Sequence, residues 1–312
     1  MEAITLAQGT NIMERNEVGA ELLNRFLAYL DTSERTVTTY TKALRQLFNY
    51  FSLNGITRPE REDVIAFREE LKASGHKPTT IQNYITACKI FFAWTAQENI
   101  YPNITEHLKG AKLSREHKKD YLSSRQVKAI LGSIDRSTAL GRRDYAILAL
   151  MVTGGLRDIE VVRADIGDLR TAGENTVLYV LGKGRTEKAE YVKISEPVEK
   201  AIRDSLKDRG DAHEDEPLFV SMSNNSKGKR LSTRSVSGIV KERMREAGYN
   251  SERLTAHSLR HTAVTLSLLA GKDITEVQQF ARHANISTTM IYNHALDKAK
   301  NGCSEAISQA IF

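Results

Sequence analysis

Apolar residues recur at spacings of three and four through most of the first hundred or so residues, which is the periodicity of amphipathic α-helices. The pattern predicts four helices, at 17–30, 35–53, 61–73 and 79–98. The stretches DTSE, NGITRPE and ASGHKP separate them sharply, because each supplies Gly, Pro or a capping residue. We therefore predict a small four-helix domain at 15–108, after a flexible N-terminus of residues 1–14.

The remainder of the chain combines helical patterns with one β signal. Residues 109–122 are basic and polar and form the predicted linker to a second domain, 123–312. Within that domain, NTVLYVLGKGRTEKAEYVKIS has two β-rich runs around a turn with Gly, Lys and Arg, which is typical of a hairpin. The predicted fold class is thus mainly α, with one small antiparallel β-sheet in the second domain.

Composition narrows the classes of protein that the chain can belong to. Its 312 residues are 40% hydrophobic and 27% charged, which is ordinary for a globular protein. The longest apolar run, AILALMV, is too short to span a bilayer, and the N-terminus has no secretory signal pattern. The two cysteines, Cys88 and Cys303, predict neither a disulfide framework nor a cysteine metal site. A reducing cytoplasm is the expected location.

Charge is distributed unevenly along the chain. The net charge is +6, yet the first 114 residues carry 13 Lys and Arg against 13 Asp and Glu. The excess positive charge therefore lies in the C-terminal part. Mild basicity alone is weak support for nucleic-acid binding, so particular faces must carry the case.

Two of the four N-terminal helices have unusual polar faces, rich in Thr, Gln, Asn, Lys and Arg but without acidic residues. Solvated helix faces are the commoner explanation of a polar stripe, but they usually alternate Glu and Lys. Stripes without acids suit phosphates and base edges better, so we predict DNA contacts there. The predicted residues are Arg35, Thr38, Lys42 and Arg45 on the second helix, and Thr79, Gln82, Asn83, Thr86 and Lys89 on the fourth.

Two glycine-containing motifs in the second domain can bind anions. TGGLRDIE, 153–160, places Arg157 in the first turn of a helix, where free N–H groups also attract anions, although a capped helix with a surface arginine has the same pattern. LGKGRTEKAE, 181–190, is not a P-loop, because Gly follows Lys183 and the context is a hairpin. Lys183, with Arg185 and Lys188 behind it, can reach a backbone phosphate or simply be a solvated hairpin tip.

Histidines and a tyrosine cluster near the end of the chain. In HSLRH, His257, Arg260 and His261 share one helix face. The glutamate of a zinc-binding HExxH motif is missing and an arginine would repel a metal cation, so this face suits an anion; His261 can instead be structural. In ARHANISTTMIYNHA, His283 ends a helix and Tyr292 follows nine residues later. A lone tyrosine usually belongs to a core or an interface, so its function depends on the whole set.

The set as a whole resembles the tyrosine recombinases, the lambda-type integrase and Xer family. TGGLRDIE resembles their TGLRxxE box, GKGRTEK their β-hairpin lysine motif, HSLRH their HxLRH box, and ARHANISTTMIYNHA their LGHxxxxTTxxYxH box. The resemblance covers the whole chain and implies a SAM-like core-binding domain followed by the family's catalytic domain. There are two departures: an extra glycine precedes Leu156, and Phe280-Ala281-Arg282 replaces the usual Leu-Gly before His283.

The resemblance implies a role for each matching residue. Tyr292 is the nucleophile, which forms a covalent 3′-phosphotyrosine on the way to a Holliday junction, without ATP, metal or other cofactor. Arg157 and Arg260 stabilise the phosphoryl oxygens. The remaining roles are Lys183 as general acid, His257 as acceptor or relay of the tyrosine proton, His283 as a hydrogen-bond partner of the phosphate, and Glu160 as an orienting residue behind the site. Arg185 and Arg282 are further predicted DNA contacts.

The expected partners are double-stranded recombination sites, bound by a homotetramer on two duplexes. In the family each protomer passes its C-terminal segment to a neighbour, although the apolar tail 304–312 can also pack on its own domain. An accessory DNA-bending protein or a second recombinase is a further expected partner. A Xer-like resolvase and a small mobile-element integrase both fit, because little sequence precedes the four-helix domain. The alternatives are a type IB topoisomerase-like nicking-closing enzyme and a catalytically silent DNA-binding regulator.

Overall fold

Four helices build the N-terminal unit, close to the positions that hydrophobic periodicity predicts. The computed structural model describes residues 12–112, 120–182, 184–300 and 303–311, in two compact units, Met1–Arg115 and Glu116–Phe312. The helices of the first unit are α1 (Ile12–Tyr29), α2 (Glu34–Leu53), α3 (Arg61–Ala73) and α4 (Pro78–Gln97). None of the described helices of the chain is long and apolar enough to cross a membrane.

The start of α1 differs from the prediction. The helix begins at Ile12, whereas the periodicity predicts a start near residue 17 and a flexible segment up to residue 14. No Gly or Pro interrupts the chain between Ile12 and Val18, and Met, Glu and Arg are good helix formers, so the helix extends further toward the N-terminus.

Aromatic packing and local caps fix the first unit. Phe26 of α1 lies edge-on to Phe91 of α4, with ring centroids 5.3 Å apart, and Trp94 packs against both rings. Ser33 caps α2 by accepting a hydrogen bond from the Thr36 amide, and Pro78 occupies the first turn of α4, where its missing N–H matters least. The apolar sides of α2 and α4 therefore pack into the core, and their polar stripes lie on the side toward solvent.

The two ends of the predicted linker, 109–122, are each hydrogen-bonded to a different unit, the first end to the first unit and the second end to the second. At the first end, the Arg68 guanidinium donates to the carbonyl oxygen of Lys109 over 2.7 Å. At the second end, Leu122 is fully buried, and its amide donates to the Thr262 hydroxyl over 2.8 Å. Residues 113–119 lie outside the described part of the chain.

The second unit is mainly helical. Its helices are α5 (Ser124–Gly132), α6 (Ala139–Gly154), α7 (Asp158–Arg163), α8 (Glu196–Lys207), α9 (Thr233–Glu246), α10 (Ala256–Leu269), α11 (Ile274–Ala281), α12 (Ile286–Lys300) and α13 (Cys303–Ile311). The predominantly α fold class with one small sheet is thereby confirmed. Helix α6 is the centre of this unit, since it is buried along nearly its whole length and packs against α8 and α10.

The sheet has three antiparallel strands in the order β1 (Leu169–Ala172), β2 (Asn175–Val180) and β3 (Glu190–Lys193). The hairpin of β2 and β3 is the predicted one. Strand β1 is additional: it has only four residues, of which the two central ones are exposed and the two outer ones half-buried, so it carries no alternation that would identify it. Gly173, with a φ of 60°, makes the tight turn that pairs β1 with β2.

The turn between α6 and α7 places the first candidate residue. Gly155 ends α6 in the left-handed region, with a φ of 57°, and the Leu156 amide then bonds back to the Met151 carbonyl. As a result Arg157 is the N-cap of α7, one residue before the first turn where the sequence places it. The Glu160 carboxylate accepts the Arg157 backbone N–H over 2.8 Å, so this cap also brings the two side chains together.

Candidate active site

Three chain segments that are far apart in sequence meet in the second unit: the α6–α7 turn, the first turns of α10, and the segment from the end of α11 into α12. They bring together Arg157, Arg260, His283 and Tyr292 of the predicted set. Helix α10 packs against α6, α11 and α12, which explains how motifs more than a hundred residues apart converge.

Arg260 is buried beneath this site, with only 1% of its surface exposed. Its guanidinium donates to the carbonyl oxygen of Gly155 over 2.5 Å and to that of Ala281. Burial, and then the charge of Arg157, lower the pKa of Arg260 to about 9, which leaves it cationic at neutral pH. The side chain is thus held by backbone carbonyls and stays positively charged.

Glu160 is the counter-charge of the cluster. Its carboxylate is fully buried and bonds Arg157 over 2.8 Å through one oxygen and Arg282 over 2.8 Å through the other. Burial opposes its ionisation, but the charge and hydrogen bond of Arg282 outweigh burial and hold the pKa of Glu160 below its usual value. One carboxylate therefore connects two guanidinium groups, and the orienting role that the resemblance implies for Glu160 stays a prediction.

His283 lies directly after α11 and is buried. Its Nδ1 atom and the Thr289 hydroxyl oxygen are 2.9 Å apart, and its carbonyl accepts from the Gln278 side chain over 3.1 Å. Burial, and then the positive charges of Arg260, Arg157 and Arg282, lower the pKa of His283 to about 4. The imidazole is consequently neutral at physiological pH and can serve as a hydrogen-bond group.

Tyr292 lies on α12 and is enclosed by the rings of two histidines. It is 3% exposed; its ring centroid is 4.5 Å from that of His261 and 6.1 Å from that of His283. Burial raises the pKa of Tyr292, and the charges of Arg260 and Arg157 oppose that rise. His261 also stacks on Tyr121, with its Nδ1 3.3 Å from the Thr265 hydroxyl, which fits the structural role that the sequence suggests for it.

His257 and the hairpin border the site from the open side. His257 is exposed in the first turn of α10 and close enough for its charge to act on His283. A cleft of about 590 Å³ opens beside Arg157 and His283, and the β2–β3 hairpin contributes Gly182, Arg185 and Glu190 to it. Lys183, the predicted general acid, lies outside the described residues.

The other basic residues of the hairpin differ in their partners. Arg185 is exposed and 3.8 Å from the Glu190 carboxylate, so its predicted DNA contact remains open to it. Lys188 instead bonds Asp165 over 2.6 Å and Asp168 over 2.5 Å. These two ion pairs engage Lys188 within the fold, which the hairpin sequence alone does not indicate.

The predicted DNA faces of the first unit are accessible, and the prediction itself remains untested. Arg35, Thr38, Lys42 and Arg45 are exposed along α2; on α4, Thr79 and Asn83 are exposed, and Gln82, Thr86 and Lys89 are half-buried. Gln82 packs against the backbone of Gly110, because a Cβ added at that glycine would lie 1.9 Å from the Gln82 Oε1.

Two contacts of the site go beyond the roles that the motifs imply. Thr289, the second threonine of the TT pair in the matching box, bonds His283, a role that is not assigned to it from the sequence. Tyr121 reaches the ring of His261 from the end of the predicted linker. Within the described ranges, no group of three or more His, Cys, Asp or Glu side chains is arranged to hold a metal ion.

Family models match both units of the chain. Residues 120–299 match the model described as phage integrase family, and residues 23–99 match the phage integrase N-terminal SAM-like domain. The first match alone covers more than half of the chain.

Several known proteins are similar along most of their length. "Tyrosine recombinase XerC" of Herpetosiphon aurantiacus is 32% identical over 291 residues, covering 87% of this chain and 90% of that protein. "Tyrosine recombinase XerA" of Pyrococcus horikoshii is 32% identical over 300 residues, covering 92% and 96%.

Solved structures share the fold. The post-cleavage complex of the XerH site-specific recombinase bound to palindromic difH substrate has a TM-score of 0.73 and 22% identity, with 94% of this chain and 87% of that chain covered. The Tn1549 transposon integrase in complex with transposon right end DNA has a TM-score of 0.66 and 17% identity, with 88% and 94% covered. With the matching family models, the relatives at 32% identity and the convergence of the recombinase motifs, the chain belongs to the phage integrase family and is a tyrosine-type site-specific DNA recombinase.

Proposed function

We propose that the chain cuts and rejoins DNA through a covalent 3′-phosphotyrosine on Tyr292, with Arg157 and Arg260 binding the scissile phosphate. The observation that carries the proposal is the grouping of these two cations and a neutral imidazole, His283, around the ring of one tyrosine.

The chemistry conserves a phosphodiester at every step. The phenolic oxygen of Tyr292 attacks phosphorus, the bond from phosphorus to the 5′-oxygen breaks, and that oxygen takes up a proton. A 5′-hydroxyl from the partner strand then attacks the phosphotyrosine, and the tyrosine oxygen leaves and regains a proton. Two such exchanges on one pair of strands give a Holliday junction, and two on the other pair resolve it.

Fixed charge supplies most of the catalysis in this scheme. Charge on the non-bridging oxygens rises as Tyr292 attacks, and Arg157 and Arg260 neutralise it with groups that their carbonyl and carboxylate partners already hold in place. His283, neutral in the free protein, donates a hydrogen bond to the same phosphate. Donors held in place before the reaction need no reorganisation during it, which is the main advantage of such a site.

Two residues carry out the proton transfers in this scheme. Lys183, of the GKGRTEK hairpin motif, gives a proton to the departing 5′-oxygen, and His257 accepts or relays the proton of Tyr292. The exposure of His257 supports this role, because a relay must exchange its proton with solvent. Arg185, at the same hairpin, contacts the DNA backbone.

The nucleophile must leave its enclosure before it can attack. Tyr292 is 3% exposed and lies between two imidazole rings, so its oxygen cannot reach a duplex without movement of α12. We propose that DNA binding releases it. The burial-raised pKa of Tyr292 keeps the phenol protonated and unreactive until then.

The DNA substrate is gripped by both units in this proposal. The exposed basic and polar faces of α2 and α4 contact the duplex backbone and base edges. The residues that we propose for this role are Arg35, Thr38, Lys42, Arg45, Thr79, Gln82, Asn83, Thr86 and Lys89. The alternation of these residues with buried core positions supports the proposal, because it holds the faces rigidly.

Four protomers on two duplexes would carry out the complete exchange, joined by their C-terminal segments. Helix α13 supports this assembly, since Ile307 and Ile311 are 59% and 67% exposed and are free to dock on a neighbour. Deleting residues 303–312 should abolish synapsis of two sites while the thermal unfolding of the monomer stays unchanged. A truncated protein that still forms synaptic complexes would contradict the exchange of tails.

The biological role that we propose is either Xer-like resolution or the integration of a small mobile element. The protein would act in the cytoplasm, on host or element DNA. Its further partner would be an accessory DNA-bending protein or a second recombinase. The relatives named XerC and XerA support the first of these. Footprinting of DNA recovered with the protein distinguishes them: a chromosomal dimer-resolution site favours the first role, and element ends favour the second.

Tyr292→Phe tests the proposal directly. The DNA probe is a duplex selected from a random pool by binding to the wild-type protein, with a nick beside the cleavage position so that the adduct is trapped. The wild-type protein should form an adduct stable on a denaturing gel, in EDTA as well as in Mg²⁺, whereas Tyr292→Phe should bind the duplex equally and form none. An adduct from Tyr292→Phe, or cleavage that only Mg²⁺ restores, would refute the mechanism, and relaxation of DNA of any sequence would favour the topoisomerase alternative.

A further inference from the structure

Arg282 occupies a position where the resembling motif of the family has glycine. It ends α11 in the left-handed region, with a φ of 54°, a backbone conformation that favours glycine. The chain thus has an arginine where glycine, which has no Cβ, would relieve backbone strain. A side chain in such a place needs contacts that compensate for the conformation.

The contacts of the Arg282 side chain run inward to the fold. Its guanidinium donates to the Glu160 carboxylate over 2.8 Å, to the Gly155 carbonyl over 3.1 Å and to the Phe280 carbonyl over 2.8 Å. The side chain borders the cleft, yet it is only 5% exposed. This placement argues against the phosphate contact that the sequence suggests for Arg282, because its Nη1 and Nη2 groups already donate inside the protein and its Nε, which has no hydrogen-bond partner there, is buried.

The acceptors of Arg282 are shared with the two arginines of the site. The Glu160 carboxylate that it bonds also bonds Arg157, and the Gly155 carbonyl that it bonds also accepts from Arg260. The backbone of Arg282 takes part as well, since its carbonyl accepts from the Arg157 guanidinium over 3.3 Å. Among the described residues, the guanidinium hydrogen bonds of Arg157 and Arg260 therefore go to the carbonyl of Arg282, to that of the preceding Ala281, or to acceptors that Arg282 shares.

We propose that Arg282 is a positioning residue that acts through Glu160 and the α6–α7 turn on the two arginines of the recombination site. The inference rests on the proposed function of that site. Without Arg282, Glu160 would be free to turn wholly toward Arg157, and the carbonyl of Gly155 would lose one of its two donors. Both changes shift the cations relative to the phosphate, and small displacements of catalytic groups reduce rates strongly.

Three substitutions separate the guanidinium from the backbone conformation. Arg282→Met removes the charge and keeps the side-chain bulk, Arg282→Gly removes both and suits the positive φ, and Arg282→Lys keeps a charge without the planar fork. Arg245→Met is the matched control, because Arg245 is exposed on α9 and its ion pair within the described ranges is with Glu242, on the same helix. Adduct formation is measured with the nicked duplex selected by the wild-type protein, beside thermal unfolding and the salt dependence of binding.

We expect Arg282→Met and Arg282→Gly each to slow adduct formation about 10- to 100-fold, with Arg282→Lys between them and the wild type. The slope of log affinity against log salt should stay at the wild-type value, whereas loss of a phosphate contact would reduce it by about one. Folding does not confound the result, since the Gly variant relieves strain and its unfolding is measured in parallel. A reduced slope with a normal adduct rate would overturn the proposal in favour of a DNA contact.

Two further readouts distinguish positioning from simple loss of structure. In the Glu160→Gln background, Arg282→Met should slow adduct formation much less than in the wild type, because the two residues act through one another. The acid limb of the pH profile should also move to higher pH in Arg282→Met. His283 faces the charges of Arg260, Arg157, Arg282 and His257, and one of these is then absent. Additive effects and an unmoved limb would refute the inference.

The same series separates this inference from the proposed function. A wild-type protein that forms no adduct refutes both. A wild-type adduct together with unchanged rates in all three Arg282 variants refutes the positioning role alone. A rate that falls equally in Arg282→Met and in the Arg245→Met control also refutes it, because the effect would then be one of overall charge.

Discussion

Removing the Glu160 carboxylate should destabilise the catalytic unit strongly. The side chain is fully buried and accepts three hydrogen bonds of 2.8 Å, from the Arg157 backbone, the Arg157 guanidinium and the Arg282 guanidinium. Glu160→Gln is nearly the same size, but it removes the negative charge and turns one acceptor into a donor. Three buried or half-buried guanidinium groups would then lie together without their counter-charge.

The size of the effect follows from these contacts. Breaking a buried ion pair by removing one partner costs about 3–5 kcal/mol. For a unit of roughly 200 residues, each kcal/mol lowers the midpoint of thermal unfolding by about 2–4 °C. The free energy of unfolding should therefore fall by about 3–5 kcal/mol, and the midpoint by roughly 6–20 °C.

Differential scanning calorimetry of the full-length chain measures this change, with Glu190→Gln as the control. The Glu190 side chain is 45% exposed and 3.8 Å from Arg185, so its loss should change stability by about 0–1 kcal/mol. The difference in free energy of unfolding between the wild type and Glu160→Gln should also narrow at low pH, because protonation removes the charge of Glu160 in the wild type. The narrowing begins at about pH 4.3, the pKa of glutamate in the unfolded chain, and continues through the lowered pKa of folded Glu160. A midpoint for Glu160→Gln within the range of the control would refute the role of Glu160 as counter-charge.

Three further predictions concern other parts of the chain. The free protein should lose stability as the pH falls from about 6.5 toward 4, since the unfolded chain binds a proton that folded His283, with a pKa of about 4, does not; His283→Gln should weaken this dependence in urea unfolding, and an unaltered dependence would contradict it. Lys42→Ala combined with Lys89→Ala should reduce the salt slope of DNA binding by about two, whereas Lys72→Ala, exposed on α3, should not; an unchanged slope would remove both faces from the DNA contact. Gly155→Ala should lower the free energy of unfolding by at least about 1–2 kcal/mol, because Gly155 has a positive φ and the added Cβ would lie 3.1 Å from the Phe280 ring of α11. A smaller loss, measured by chemical denaturation, would contradict that strain.

The sequence predicts those features of the fold that depend on neighbouring residues. Hydrophobic periodicity and caps predict α2, α3 and α4 to within a residue or two, because Ser33 and Pro78 act on the helix that follows them. Strand β1 cannot be predicted in this way, since its four residues show no alternating burial and become a strand only by pairing with β2. Such pairing is a property of the folded chain.

The same distinction between local sequence and long-range contacts applies to the candidate site. The residues of the motifs are predictable, because each motif is short and local, and Arg157, Arg260, His283 and Tyr292 do converge. The partners that hold them are not predictable: the ion pair of Arg282 with Glu160 spans 122 positions, and only the folded structure shows it. An arginine next to a histidine is easily interpreted as a phosphate contact until its buried acceptors are known.

Mapping the covalent DNA attachment point tests the central claim most directly. The adduct trapped on the nicked duplex is digested with nuclease and trypsin, and the phosphorylated peptide is sequenced by mass spectrometry. We predict a nucleotide linked through its 3′-phosphate to peptide 283–298, in which Tyr292 is the sole tyrosine. Attachment to another peptide, or linkage through a 5′-phosphate, would contradict the mechanism.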